Sequence, residues 1–160
     1  MNTQYNTKPY NQTLMSTFHP ERTPAFFNQI SQHHFPALLG MEITEVREQH
    51  LEARMTIRPD FYAPNGYLHA GSLVSFADSL AGYATVAHFP PGVVGFTTIE
   101  LKTNFLSTAK TGEVEAIATP EHLGKTTQVW DVLLKHRDTD KKMAIFRCTQ
   151  MLIYPEKKGQ

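Results

Sequence analysis

Cysteine is nearly missing from this chain. Cys148 stands alone among 160 residues, so no disulfide can close within the chain, and the disulfide-stapled class of small secreted domain is excluded. Excess charge is missing too: Lys and Arg total 15 against 15 Asp and Glu, leaving no net field to gather nucleic acid. No apolar run approaches the roughly 18 residues that span a bilayer. The N-terminus lacks the charged-then-apolar layout of a secretion signal. The expectation is a cytoplasmic protein without nucleic-acid or membrane partners.

The length suits one domain with a real core. Residues 1–22 are rich in Asn, Gln and Thr and show no sustained periodicity, so they are expected to form a mobile tail ahead of a single domain over 23–160. Thr23-Pro24 is a helix start, Thr as cap and Pro in the first turn, with Phe26, Phe27 and Ile30 as the apolar face. His33 and His34 are adjacent and point to different sides of a helix, which does not suit a metal site. A weak alternation over 41–46 and a clean one over 51–57 predict two strands joined as a hairpin. Four longer strand-like runs follow, roughly 95–107, 113–121, 126–136 and 143–154, separated by turn residues. Trp130, Phe105 and Phe146 are expected in the core.

Between the second and third strands lies the stretch that carries chemistry. Pro64-Asn65-Gly66 is turn chemistry. From Ala70 the apolar residues recur at helical spacing through Ala84, which predicts one long buried helix. Asp78 falls on the flank of its apolar stripe, beside Gly71, Gly82 and Thr85. A carboxylate there has its pKa raised unless a partner compensates, which is the mark of a working group. The helix start offers unpaired N–H groups and the positive end of the helix dipole, and Gly71 leaves room for a ligand to approach the backbone. Amides and a carboxylate on one helix suit attack on a carbonyl, one end holding the oxyanion and the other activating water. Ser72, Ser75 and Ser79 form no triad pattern and are expected to line a helix–helix contact.

The expected fold class is α+β, one curved antiparallel sheet of about six strands wrapped around one long central helix. That layout resembles the hotdog fold, and His69-Ala70-Gly71, Asp78 and Ser107-Thr108-Ala109-Lys110-Thr111-Gly112 resemble the motifs of PaaI-type acyl-CoA thioesterases over roughly residues 26–154. The resemblance implies hydrolysis of a thioester to coenzyme A and a free acid, with no metal and no other cofactor, coenzyme A being part of the substrate. It gives Asp78 the role of general base or nucleophile and the Ala70 N–H that of polarising the thioester carbonyl. His69 would shape the turn and Thr98 would orient water. Lys110 and Gly124-Lys125-Thr126 fall where members meet coenzyme A. The family often has Asn or Gln where this chain has Ala63, and Asn65 is the residue that could supply that polar group. Simple alternation sets Thr98 on the strand face opposite Ile99 and Leu101. The resemblance also implies a site between two subunits of a dimer or tetramer. The alternatives are a non-catalytic acyl-CoA-binding hotdog protein and, less well matched, a hotdog dehydratase.

Overall fold

The computed structural model describes residues 17–156. Two short helices, α1 (Pro24–Ile30) and α2 (Phe35–Leu38), lead into the hairpin β1 (Glu42–Arg47) and β2 (His50–Thr56). A single 3-10 turn, Pro59–Phe61, then delivers the long helix α3 (Ala70–Ala87). Four strands complete the chain: β3 (Gly95–Phe105), β4 (Glu113–Leu123), β5 (Thr127–His136) and β6 (Lys141–Ile153). All six pair antiparallel in the order β1-β2-β4-β5-β6-β3, the expected hotdog arrangement.

Alternation fixes which face of each strand looks at α3. Leu51, Ala53 and Met55 on β2, Val114, Ala116 and Ala118 on β4, and Trp130, Val132 and Leu134 on β5 are buried, while their neighbours face outward. The helix answers with Leu73, Phe76, Ala77, Leu80, Ala81 and Ala84; its alanines let the sheet come close. Truncating a fully buried Phe76, Trp130 or Phe146 to Ala is expected to cost about 3–5 kcal/mol. Pro120 sits inside β4 without penalty because β2 pairs only as far as Ala118, so no ladder partner on that side needs its missing N–H.

Several expectations need correction. The segment 17–22 belongs to the fold: the His19 N–H donates to the Ala87 carbonyl at 2.9 Å, its Nε2 lies 2.9 Å from Phe89 O, and the Phe18 ring packs 5.3 Å from the His88 ring. Residues 1–16 lie outside the described residues. Phe105, expected in the core, is 49% exposed at the end of β3, an edge strand that pairs on one side only. A bulge between Thr98 and Glu100 inserts one residue, so Thr98 and Leu101 lie opposite buried Gln150 and Cys148 and share the helix-facing side. Helix α2 falls in a stretch expected to close the first helix; four residues are too few for a periodic signal.

His88 ties four parts of the chain together. Buried at the end of α3, its Nδ1 bonds Ala84 O at 2.8 Å and its Nε2 accepts from the Gln49 N–H at 2.9 Å. The bond helps hold Gln49 in the left-handed region at φ 59°. Gln128 Nε2 donates to His88 O at 2.8 Å, and the Trp130 ring lies 5.1 Å away. With Nε2 an acceptor the imidazole is neutral, and burial pushes its pKa below the ordinary 6.5. The unfolded chain therefore takes up this proton at a higher pH than the folded one. The stability His88 contributes is complete above about pH 6.5 and is lost as pH falls toward the folded pKa. Thermal melts across this range should show a falling Tm, and the part of that slope carried by His88 should vanish in His88→Phe.

Candidate active site

The turn into α3 is built by local hydrogen bonds. The Ala63 N–H donates to Tyr67 O at 2.8 Å, and Gly66, at φ 77°, returns its N–H to Ala63 O at 2.9 Å. Only glycine takes that backbone conformation without strain. Asn65 Oδ1 accepts from the Tyr67 N–H at 3.1 Å, an Asx turn. His69 then caps the helix, Nδ1 accepting from the Gly71 N–H at 2.8 Å. A Cβ on Gly71 would stand 2.9 Å from that same nitrogen. Gly71 thus makes room for the His69 ring, and its amide is already used within the cap. Ala70, the first residue of the helix, keeps an N–H with no intrahelical acceptor and is exposed.

Asp78 sits in the middle of α3, half-buried. Burial raises its pKa above the ordinary carboxylate value, and a hydrogen bond from Thr98 opposes the rise. The Thr98 hydroxyl lies 3.3 Å from Asp78 Oδ1 and 2.9 Å from Gln150 Oε1. The bulge in β3 puts Thr98 on the face from which it reaches Asp78. Beside the pair opens a cavity of about 230 Å³ walled by Ile30, Pro36, Gly82, Tyr83, Val86 and Phe96 as well as Asp78 and Thr98. The bare backbone of Gly82 lets the Phe96 ring lie close, since a Cβ there would stand 3.0 Å from it. Tyr83 is held by its hydroxyl, 2.5 Å from Ser31 Oγ. The site is therefore a carboxylate at the wall of an apolar slot.

The structure does not gather all the expected residues. Ala70 and Asp78 are eight positions apart on one helix, an axial separation of about 12 Å, so one chain cannot put both on one carbonyl. Lys110 stands at the helix start, its Nζ 4.5 Å from the Tyr67 ring centroid, near Asn65 and His69. Gly124, Lys125 and Thr126 form the turn at the other end of β4, fixed by the Gly124 N–H to Thr127 O at 2.9 Å and Tyr154 Oη to Lys125 O at 2.6 Å. An eleven-residue strand separates these two groups by about 35 Å. Of the serines, Ser79 Oγ bonds Ser75 O at 2.7 Å and Ser72 Oγ lies 3.4 Å from Phe61 O, bonds within α3 and to the preceding turn. Phe96, Tyr83 and Gln150 were not anticipated. Gln150 alone had a legible signal, a polar residue at an inward position of an alternating strand.

A half-buried acid on the central helix of a hotdog sheet suits thioester chemistry, and the similarity to known proteins supplies the class. The thioesterase superfamily profile matches residues 65–142. The chain is 32% identical over 111 residues to 1,4-dihydroxy-2-naphthoyl-CoA hydrolase of Listeria monocytogenes, covering 69% of this chain and 89% of that protein. Among solved structures, a variant of thioesterase PA1618 from Pseudomonas aeruginosa superposes with a TM-score of 0.81 at 28% identity, over 88% of this chain and all (100%) of the other. The E. coli PaaI protein shares the fold, with a TM-score of 0.70 at 24% identity over 79% of this chain and 88% of its own. This chain belongs to the thioesterase superfamily. It is a thioester hydrolase of the PaaI-type hotdog fold.

Proposed function

We propose that the protein hydrolyses acyl-CoA thioesters in sites each shared by two copies of the chain. The observation that carries this is the half-buried Asp78 carboxylate, bonded by Thr98, at the wall of an apolar cavity. The acyl group occupies the slot along Gly82, Val86 and Phe96, and the thioester carbonyl lies at Asp78. Asp78 acts there as base on water or as nucleophile. The Ala70 amide of the second copy supplies the oxyanion donor that the same chain cannot place. The chemistry draws on these groups alone, with coenzyme A as part of the substrate and no metal or redox group called upon.

The second copy is supported by the sheet edge. Strand β3 is eleven residues long, pairs on one side only and carries exposed Ile99, Leu101 and Phe105. Soluble proteins seldom leave such an edge open. Antiparallel pairing of β3 with its copy sets the two α3 helices side by side in opposite directions, so the start of one can approach Asp78 of the other. Lys110 and the Gly124–Thr126 turn are then offered to one coenzyme A from different chains. A dimer, or a tetramer built from it, in the cytoplasm fits this reading; among the described residues no helix is long and apolar enough to cross a membrane.

A hydrolysis screen over acyl-CoA chain lengths, with an aromatic thioester included, tests the proposal. Turnover is expected for acyl groups that fill the slot. Tight binding with no hydrolysis of any thioester would favour the non-catalytic acyl-CoA-binding reading, and hydration of an enoyl thioester the dehydratase.

A further inference from the structure

Three polar side chains cross the helix-facing side of the sheet in one row: Thr98 on β3, Gln150 on β6 and Gln128 on β5, through the pairs Thr98↔Gln150 and Gln128↔Gln150. Gln128 is accounted for by structure. Its Nε2 donates to His88 O at 2.8 Å and its Oε1 accepts from Trp130 Nε1 at 3.0 Å. Gln150 closes no such scaffold. It is buried completely, and its amide has two side-chain neighbours: Thr98 Oγ1 at 2.9 Å and Cys148 Sγ at 3.3 Å. The inward positions around it on β6 are Phe146, Cys148 and Leu152, all buried; an apolar side chain would pack there as well. A buried amide left unbonded costs about 1–3 kcal/mol.

The Thr98 hydroxyl has one proton and two oxygen neighbours, Asp78 Oδ1 at 3.3 Å and the Gln150 amide. With Oε1 toward Thr98, both neighbours are acceptors and only one is served. With the amide turned so that Nε2 faces Thr98, donors and acceptors alternate along the whole row: Cys148 S–H donates to Oε1, one N–H of Nε2 donates to Thr98 Oγ1, and Thr98 O–H donates to Asp78. The surrounding network decides which way a side-chain amide turns. An ionised carboxylate selects the second arrangement, because a charge-assisted hydrogen bond is roughly twice as strong as a neutral one. Cys148 suits its end of the chain: burial pushes its thiol up to about 12, so it stays an S–H donor at neutral pH.

We propose that Gln150 is a positioning residue of the thioesterase site, holding the Thr98 hydroxyl with its proton directed at Asp78. One carboxylate oxygen is thereby fixed, and the other is turned to water or the acyl carbon. Gln150 touches no substrate and acts only through Thr98. The inference rests on the reading of Asp78 as the catalytic carboxylate.

The test compares Gln150→Met, Thr98→Val, their double variant and Asp78→Asn by steady-state kinetics across pH. Gln150→Met, similar in size but without the amide, should lower kcat about tenfold at unchanged KM, the rate equivalent of one modest hydrogen bond. It should also move the acidic limb of kcat/KM to higher pH, because a weaker Thr98 bond opposes less of the rise that burial imposes on Asp78. In the Thr98→Val background the same substitution should change neither quantity. A Gln150→Met enzyme with wild-type kcat and wild-type pH limb, or one that loses equally in both backgrounds, overturns the proposal and leaves Gln150 as packing. Should Gln150→Met not fold, Gln150→Leu removes the amide with a branched apolar side chain, in keeping with the buried Phe146, Cys148 and Leu152 of the same register. The same fall in kcat and the same shift of the acidic limb are expected, and wild-type values of both overturn the proposal again. Asp78→Asn separates the two levels. Full turnover there removes the catalytic carboxylate and the proposal falls with it; an inactive Asp78→Asn leaves the Gln150 variants to decide alone.

Discussion

Asp78→Asn is expected to lower kcat by at least about 10²-fold while KM stays near the wild-type value. The substitution keeps size and shape. Asn Oδ1 can still accept from the Thr98 hydroxyl, now 3.3 Å from Asp78 Oδ1, so the wall of the cavity is unchanged. What disappears is the negative charge and with it the base or nucleophile. Substrate binding draws on the apolar slot, which explains why KM should hold. Stability should hold or rise at neutral pH, and the sign follows from the raised pKa. A carboxyl group that burial makes harder to ionise destabilises the fold once it is charged, and an amide carries no such penalty. Kinetics beside a thermal melt of both proteins check this. A folded Asp78→Asn enzyme with wild-type kcat would end the mechanism proposed for this site.

How the site came to be partly legible in sequence depends on which contacts are local. The turn at Asn65, the helix start at His69 and the helix-flank position of Asp78 are readable because turn chemistry and helix periodicity act within a few residues. The strands of the sheet were readable for the same reason, since alternation over 51–57 or 128–134 needs no knowledge of the partner strand. The relation between Thr98 and Asp78 was not. It depends on a bulge near Ile99 that only pairing with β6 reveals, and without the bulge Thr98 and Leu101 fall on opposite faces. The closeness of Gly71 to the His69 ring is hidden for a similar reason, since a Cβ at 71 meets that ring only in three dimensions. Phe105 continues the apolar spacing of Ile99 and Leu101, but β3 is an edge strand that pairs on one side only, and all three are exposed in the single chain. Gln150 and Gln128 were the signal left unused. Each is a polar residue in an inward register otherwise held by Phe146, Cys148 and Leu152 or by Trp130, Val132 and Leu134, and a buried amide in such a row asks for an explanation.

The separation of Ala70 from Asp78 leads to the second large effect. Ala70→Pro removes one N–H and little else. Proline is tolerated at the first helical position, where that N–H has no intrahelical acceptor, and His69 already has the extended backbone, φ −68° and ψ 136°, that a residue before proline requires. If this amide is the oxyanion donor, kcat should fall about 10²–10³-fold with α3 intact by circular dichroism. Each substitution alone then disables every site of a two-fold dimer. Mixed by co-refolding, Ala70→Pro and Asp78→Asn chains should complement each other. In a mixed dimer one shared site carries both defects and the other carries neither. Random pairing makes half the dimers mixed, so activity should return to about a quarter of wild type from two nearly inactive parents, as two-fold symmetry requires. A site contained within one chain gives a different result: every chain in the mixture bears a defect, and nothing is recovered. Light scattering on the same samples, confirming that the parents and the mixture are dimeric or larger, makes the absence of complementation decisive against the shared site.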